Sequence, residues 1–314
     1  MGWGVYGVGC KWGRLYMGWL YVEWVCAVGP IAQTPGLYTQ LSAGAEAHAH
    51  RVRASHRPKR GFLVAAPEEA LSAGNVMLTG TDGATINAYQ ARPTGGGLFG
   101  GVLVIHHLPG WDSGTKEITR RFAATGYNAI CPNLYARQGL HVDPDDAAAA
   151  TRESGGIPDE QFVGDAQVTV EALRTLPTSN GKVGVIGYCS GGRHAFLTAV
   201  SLPVDAAVDC YGAFVVGTPP DGFPLKVKPL VDRTPELGCP LLGLFGNDDV
   251  FPTPEHVDEL EAALKDAGKP YEFHRYDGAG HAFFSVDRPA YRPEAAVDGW
   301  RRIFDFFGTH LQGV

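Results

Sequence analysis

Ten residues constrain this chain more than any others: Val183-Gly184-Val185-Ile186-Gly187-Tyr188-Cys189-Ser190-Gly191-Gly192. An apolar run breaks into a turn crowded with glycine, and a helix-like segment, Arg193 to Val200, follows. That order is the setting of a nucleophile elbow, written here as G-x-C-x-G with cysteine in place of the usual serine. Glycines two residues before and two after the nucleophile suit a turn too tight for side chains. The turn lifts the thiol above the sheet edge and aims backbone N–H groups at a developing oxyanion. Were Ser190 the nucleophile, Tyr188 would fall at the minus-two position and obstruct the turn. Ser190 therefore reads as an oxyanion donor through its backbone N–H. A plain buried cysteine in a strand-to-helix loop explains less of the pattern.

The 314 residues are 45% hydrophobic and 19% charged, enough for one large α/β domain or two small ones, with a substantial core. A net charge of -7 gives no reason to expect nucleic acid or an anionic membrane as partner. Six scattered cysteines without a C-x-x-C pair argue against a disulfide scaffold and a structural zinc site. A working thiol suits a reducing, cytoplasmic compartment. No apolar run is long enough for a membrane-spanning helix. The expected assembly is a monomer or small homo-oligomer.

The chain divides near residue 75. Residues 1–74 lack a clear period and read as a poorly ordered extension outside the chemistry. A signal-peptide reading of Leu15 to Val28 is interrupted by Glu23 and by Pro30 after the small-residue site. From Asn75 onward strands and helices alternate. Thr85 to Arg92 reads as an early edge strand and Gly101 to Ile105 as a buried parallel strand. Further strands are expected at Tyr127–Cys131, 183–187, Ala206–Tyr211, Leu241–Phe245 and Tyr271–Tyr276. Helices are expected at Thr115–Thr125, Asp159–Leu176, 191–201, Glu255–Ala267 and around Pro293–Leu311. The pattern predicts a mostly parallel sheet covered on both faces. The Pro-rich connection between Gly212 and Cys239 reads as a surface excursion near the site.

A catalytic thiol needs a base, and the base needs an orienting acid. In α/β-hydrolases they follow in the order nucleophile, acid, base, each on a loop after a strand. Here Leu241–Phe245 runs into Gly246-Asn247-Asp248-Asp249, and Tyr271–Tyr276 runs into Asp277-Gly278-Ala279-Gly280-His281. Cys189, one of Asp248 and Asp249, and His281 thus occur in the required order. Spacing alone does not choose between the aspartates.

These segments, with Cys131-Pro132-Asn133-Leu134-Tyr135-Ala136-Arg137, resemble the dienelactone hydrolase family of α/β-hydrolases over roughly residues 77–312. The resemblance implies a Cys-His-Asp triad that opens an ester or lactone without a cofactor or metal, and it places the family's aspartate on Asp249. It also implies oxyanion donors at Leu108 and Ser190, and substrate contacts from Tyr135, Arg137, His107 and Trp111. Two departures stand out. His106-His107 occupies the place of a family glutamate that contacts the resting thiol. Ser285 stands where a second substrate-binding arginine belongs, the next arginine being Arg288. A neutral or bulkier ester becomes the more natural substrate. Two rivals are a metal site drawing on Cys189, His106, His107 and His281, and a non-catalytic binding protein on the same fold.

Overall fold

The computed structural model describes residues 71–312. Fourteen regular strands and α-helices alternate along them. An antiparallel hairpin opens the chain, β1 (Leu71–Thr79) and β2 (Thr85–Pro93), followed by β3 (Phe99–Ile105), α1 (Ser113–Ala124) and β4 (Asn128–Pro132). Then come α2 (Pro144–Ser154), α3 (Asp159–Thr175), β5 (Ser179–Tyr188), α4 (Ser190–Ser201) and β6 (Ala206–Cys210). The order closes with β7 (Leu241–Gly246), α5 (Pro254–Asp266), β8 (Tyr271–Tyr276) and α6 (Pro293–Leu311). All strands join one eight-stranded sheet in the order β1-β2-β4-β3-β5-β6-β7-β8. From β4 to β8 the neighbours run parallel, while β2 is antiparallel to both β1 and β4.

Period-two alternation along the strands feeds two separate cores. Leu103, Ile105, Val183 and Val185 point to the face covered by α3, α4 and α5, where they meet Phe162, Leu173, Phe196 and Leu264. Val102, Val104, Ile186 and Tyr188 point to the face covered by α1 and α6, where they meet Phe122, Ile303 and Phe307. The chain leaves β3 through α1 on one face and enters β5 from α3 on the other. Loops after β3 and β5 therefore diverge at their carboxyl ends, which opens the crevice where α/β sheets place their sites.

The sequence places most elements within a few residues, but it misses β1 and α2. Strand β1 is Leu-Ser-Ala-Gly-Asn-Val-Met-Leu-Thr, mostly exposed, with only Val76 and Leu78 packed against the core. It includes four residues, 71–74, that the sequence assigns to the extension, and Thr85 to Arg92 is the second strand rather than the edge. Helix α2 buries little more than Ala147, Ala148 and Thr151, so its apolar signal is faint. Apart from its last four residues, the expected N-terminal extension lies outside the described residues. The Gly212–Cys239 excursion begins with buried residues, Ala213 to Val216, and packs Phe214, Phe223 and Leu225 in a small cluster with Leu108 and Phe251. No described helix is long and apolar enough to cross a membrane.

A chain beginning at Leu71 is expected to keep its melting temperature within a few degrees of the full chain. One beginning at Gly80 loses β1, uncovers the unpaired edge of β2, and should melt at least ~4 °C lower. Equal melting of the two would show that β1 contributes nothing to the domain.

Candidate active site

Three loops at the carboxyl ends of β5, β7 and β8 bring the expected triad together. Cys189 sits between β5 and α4 at φ 59°. A non-glycine residue rarely tolerates this conformation. The turn is enforced by contact. A Cβ on Gly187 would lie 1.8 Å from the Gly191 carbonyl oxygen, and one on Gly191 would lie 2.6 Å from that of Ile105. Cys189 N–H donates to Cys210 O at 3.1 Å, pinning the elbow to β6.

His281 donates from Nδ1 to Asp249 Oδ2 at 2.9 Å. The other carboxylate oxygen of Asp249 accepts from Phe251 N–H at 2.9 Å. Of the adjacent pair, Asp249, which meets His281, is buried, and Asp248 is exposed. The imidazole also meets the Tyr211 ring edge-on, with centroids 5.2 Å apart. Burial pushes the Cys189 thiol up, but the His281 charge, the His107 charge and Ser190 N–H together outweigh it and draw the thiol down to about 7. Burial likewise opposes charging of His281, yet the sulfur anion and the Asp249 hydrogen bond raise it to about 10. No sulfur–imidazole hydrogen bond of standard geometry is closed among the described residues, so charge couples the two groups more than a formed bond does. Such contacts commonly tighten only with substrate bound.

The β3 loop turns sharply, with Gly110 N–H donating to His107 O at 3.0 Å. Tyr135 Oη donates to Leu108 O at 2.8 Å and fixes that peptide. Leu108 N–H has no acceptor among the described residues, and Ser190 N–H lies at the first turn of α4 beside the sulfur. His107 Nε2 meets Asp112 Oδ2 at 2.6 Å, while Asp112 Oδ1 caps α1 by accepting from Thr115 N–H. Burial opposes ionisation of Asp112, but the His107 contact overcomes it and holds the carboxyl well below the usual range.

Other sequence expectations give way. His106 is buried and spends both ring nitrogens, accepting from Leu134 N–H at 3.1 Å and donating to His107 O at 2.8 Å. Burial lowers it to about 4, a neutral strut between two loops rather than a ligand or a contact to the thiol. Among the described residues no three or more His, Cys, Asp or Glu side chains gather as a metal site. Trp111 is a core residue: its Nε1–H donates to Cys131 O at 3.0 Å, and Lys116 Nζ covers its ring at 3.9 Å. Arg137 is not free for a substrate carboxylate. Its fork holds Asp82 at 2.9 Å and the wholly buried Asp165 at 2.7 Å. Asp143 and Asp145, nearer in sequence, lie at the start of α2, where Asp143 Oδ1 accepts from Asp145 N–H.

Sequence reasoning did not reach Asp112, although Asp three residues before a threonine at a helix start is a capping signal. Nor did it reach Phe214, Phe223 and Phe251, which meet Leu108 in an apolar cluster over the crevice. Their loops have no periodicity to reveal it.

The family model described as the dienelactone hydrolase family matches residues 86–311. The chain belongs to this family. Its relatives include a Methylorubrum extorquens protein called "Putative carboxymethylenebutenolidase", 36% identical over 247 residues, 78% of this chain and 83% of that protein. A carboxymethylenebutenolidase from Pseudomonas putida is 32% identical over 239 residues, 72% of this chain and 95% of that protein. The Klebsiella pneumoniae crystal structure described as a "Putative Dienelactone Hydrolase" matches with a TM-score of 0.67 at 31% identity, covering 77% of this chain and all of that one. This dienelactone hydrolase family member is accordingly an α/β-fold carboxylic ester hydrolase.

Arg137→Ala is expected to destabilise the protein, by about 3–5 kcal/mol, because it strands the buried Asp165 carboxylate. Pairing it with Asp165→Asn should recover part of the loss. Thermal or denaturant unfolding checks both. An unchanged stability together with a selective loss on carboxylate-bearing esters would restore Arg137 to the substrate site.

Proposed function

We propose that this chain hydrolyses a carboxylic ester or lactone with Cys189 as nucleophile, His281 as proton carrier and Asp249 as its orienting partner. The observation that carries the reading is Cys189 held at positive φ at the head of α4, facing an imidazole whose Nδ1 is 2.9 Å from a buried carboxylate.

The thiolate sulfur attacks the carbonyl carbon, and the C=O electron pair moves to oxygen. Leu108 N–H and Ser190 N–H stabilise that oxyanion. As the intermediate collapses, the C–O bond to the leaving group breaks and His281 gives its proton to the departing alkoxide. A thioester joins the acyl group to Cys189. Water then attacks the thioester carbon while His281 takes its proton. Collapse expels the Cys189 thiolate and releases the acid, so the cycle closes without a redox partner. A lactone follows the same path with the alkoxide tethered to the acyl group.

The acyl pocket favours an apolar, uncharged group. Arg137 is committed to Asp82 and Asp165, and Ser285 offers no charge in place of a second arginine. Phe214 and Phe223 lie 5.2 Å apart, Phe214 and Phe251 5.3 Å, and all three pack near the Leu108 loop. A thiolate enzyme of this kind fits a reducing compartment.

Two tests follow. Cys189→Ala should abolish turnover of small aryl esters, Asp249→Asn should cost ~10²–10⁴-fold, and Asp248→Asn less than about twofold. A larger loss at Asp248 would reverse the assignment. The pH profile of kcat/KM should be bell-shaped. Below about 7 the thiol is protonated and cannot attack. Above about 10 the imidazolium has lost the proton the alkoxide needs. The limbs report the pair rather than either residue alone. A profile whose acid limb lies near 8.5–9, as for a free thiol, would contradict the ion pair.

A further inference from the structure

A second histidine flanks the thiol from the side of the sheet opposite His281's strand. Strands β3 and β5 are parallel neighbours with Ile105 paired to Gly187. Two residues beyond each partner stand His107 and Cys189, and the chains stay in contact past the strand ends. The place of a Cβ on Gly191 is 2.7 Å from the His106 carbonyl oxygen. His107 is held as firmly as a catalytic base would be. Its Nε2 lies 2.6 Å from Asp112 Oδ2, and Asp112 Oδ1 is fixed by Thr115 N–H at 2.8 Å and Thr115 Oγ1 at 2.9 Å. Its Nδ1 has no hydrogen-bond partner among the described residues. The arrangement inverts that of His281, which gives Nδ1 to its aspartate and leaves Nε2 free.

We propose that His107, oriented by Asp112, is a second imidazole of the catalytic centre: carrying a proton, it is a fixed counter-ion of the Cys189 thiolate, while His281 alone shuttles protons. The proposal rests on Cys189 being the nucleophile. It assigns a role to a dyad that the hydrolytic cycle leaves unused.

The groups around the sulfur make a second cation useful. Tyr135 after β4 and Tyr211 after β6 face the thiol, and burial pushes both phenols up, so they stay neutral. His106 is neutral as well and spends its donors elsewhere. Ser190 N–H is the remaining nearby donor, and Asp249 adds negative charge behind His281. An ester entering the crevice strips water from the sulfur, which disfavours the anion. A cation already in place offsets that loss without reorganising. It serves again when the thioester intermediate collapses and sulfur must leave as the anion. The charge on His107 indeed acts on the thiol in the direction that favours the thiolate.

The test reads the thiol itself. Iodoacetamide alkylation of Cys189, located by mass spectrometry, is followed against pH in the full-length protein. In His107→Gln the alkylation midpoint should move up by about one pH unit, with about tenfold slower alkylation below it. His107→Lys, which keeps a cation, should move it less. In a His281→Gln background, His107→Gln should raise the midpoint further. A superimposable profile in His107→Gln, even with reduced turnover, would overturn the proposal and leave His107 a loop strut. A measurement on the unsubstituted protein covers variants that fail to fold. The His107 imidazole, followed by NMR, should release its proton at lower pH once Cys189 is alkylated, because coupling is reciprocal. An unmoved titration also overturns the proposal. Failure of the nucleophile reading looks different: alkylated Cys189 with undiminished turnover.

Discussion

Everything at this site depends on the close passage of backbone over backbone at Gly187 and Gly191. A methyl group on Gly187 would overlap the Gly191 carbonyl, and one on Gly191 would overlap the end of β3. With those side chains absent, β5 can turn directly into α4 and hold Cys189 at φ 59°. The same passage brings the loop after β3, which carries His107 and Leu108, against the elbow. The turn that presents Cys189 thus also brings the end of β3 beside it.

Burial alone would leave Cys189 an inert thiol, which is what Cys131, Cys210 and Cys239 are. Burial pushes Cys131 and Cys210 far up, and Cys239 to about 12. The difference at Cys189 is direction. Its side chain emerges above the sheet toward an imidazole, whereas the other three point into packed apolar surroundings. The reactivity proposed for Cys189 rests on this local cation, as thiol chemistry generally requires.

What the sequence made legible was local. The elbow, the order of nucleophile, acid and base, and most helices and strands are written in short-range patterns of glycine and apolar residues. What escaped was decided by distant partners. Asp248 and Asp249 are chemically identical neighbours, and only the loop's path, with Asp248 N–H tied to Ala279 O, turns one outward and buries the other. Arg137 reads as a clamp because it follows a strand at the right end of the sheet. Asp82 in the first hairpin and Asp165 on α3 claim it, from 55 and 28 residues away. Trp111 and His106 likewise looked available until their nitrogens were found bonded to the β4 strand and its loop. Residues that hold loops together and residues that touch substrate share the same types and the same segments, so spacing cannot separate them.

Among the described residues, four other than glycine have positive φ: Cys189, Tyr211, Phe214 and Ala282. All four lie in loops at the carboxyl ends of β5, β6 and β8, around one crevice. Each such residue costs about 1–3 kcal/mol and persists only where its surroundings over-determine it. Here the constraints are visible. Cys189 N–H is held by Cys210 O, and Tyr211 N–H by Leu244 O at 2.9 Å. The Tyr211 ring is wedged against His281, Phe283 and Phe284. Phe214 is fixed between Phe223 and Phe251, and the Ala282 carbonyl accepts from Ser285 N–H. The aromatic-rich core under α1 and α6 therefore extends up to the mouth of the sheet, where Phe214, Phe223 and Phe251 form a separate small cluster. They hold Cys189, His281 and the phenylalanine wall in conformations the free chain would not choose, which is the rigidity a preorganised site requires.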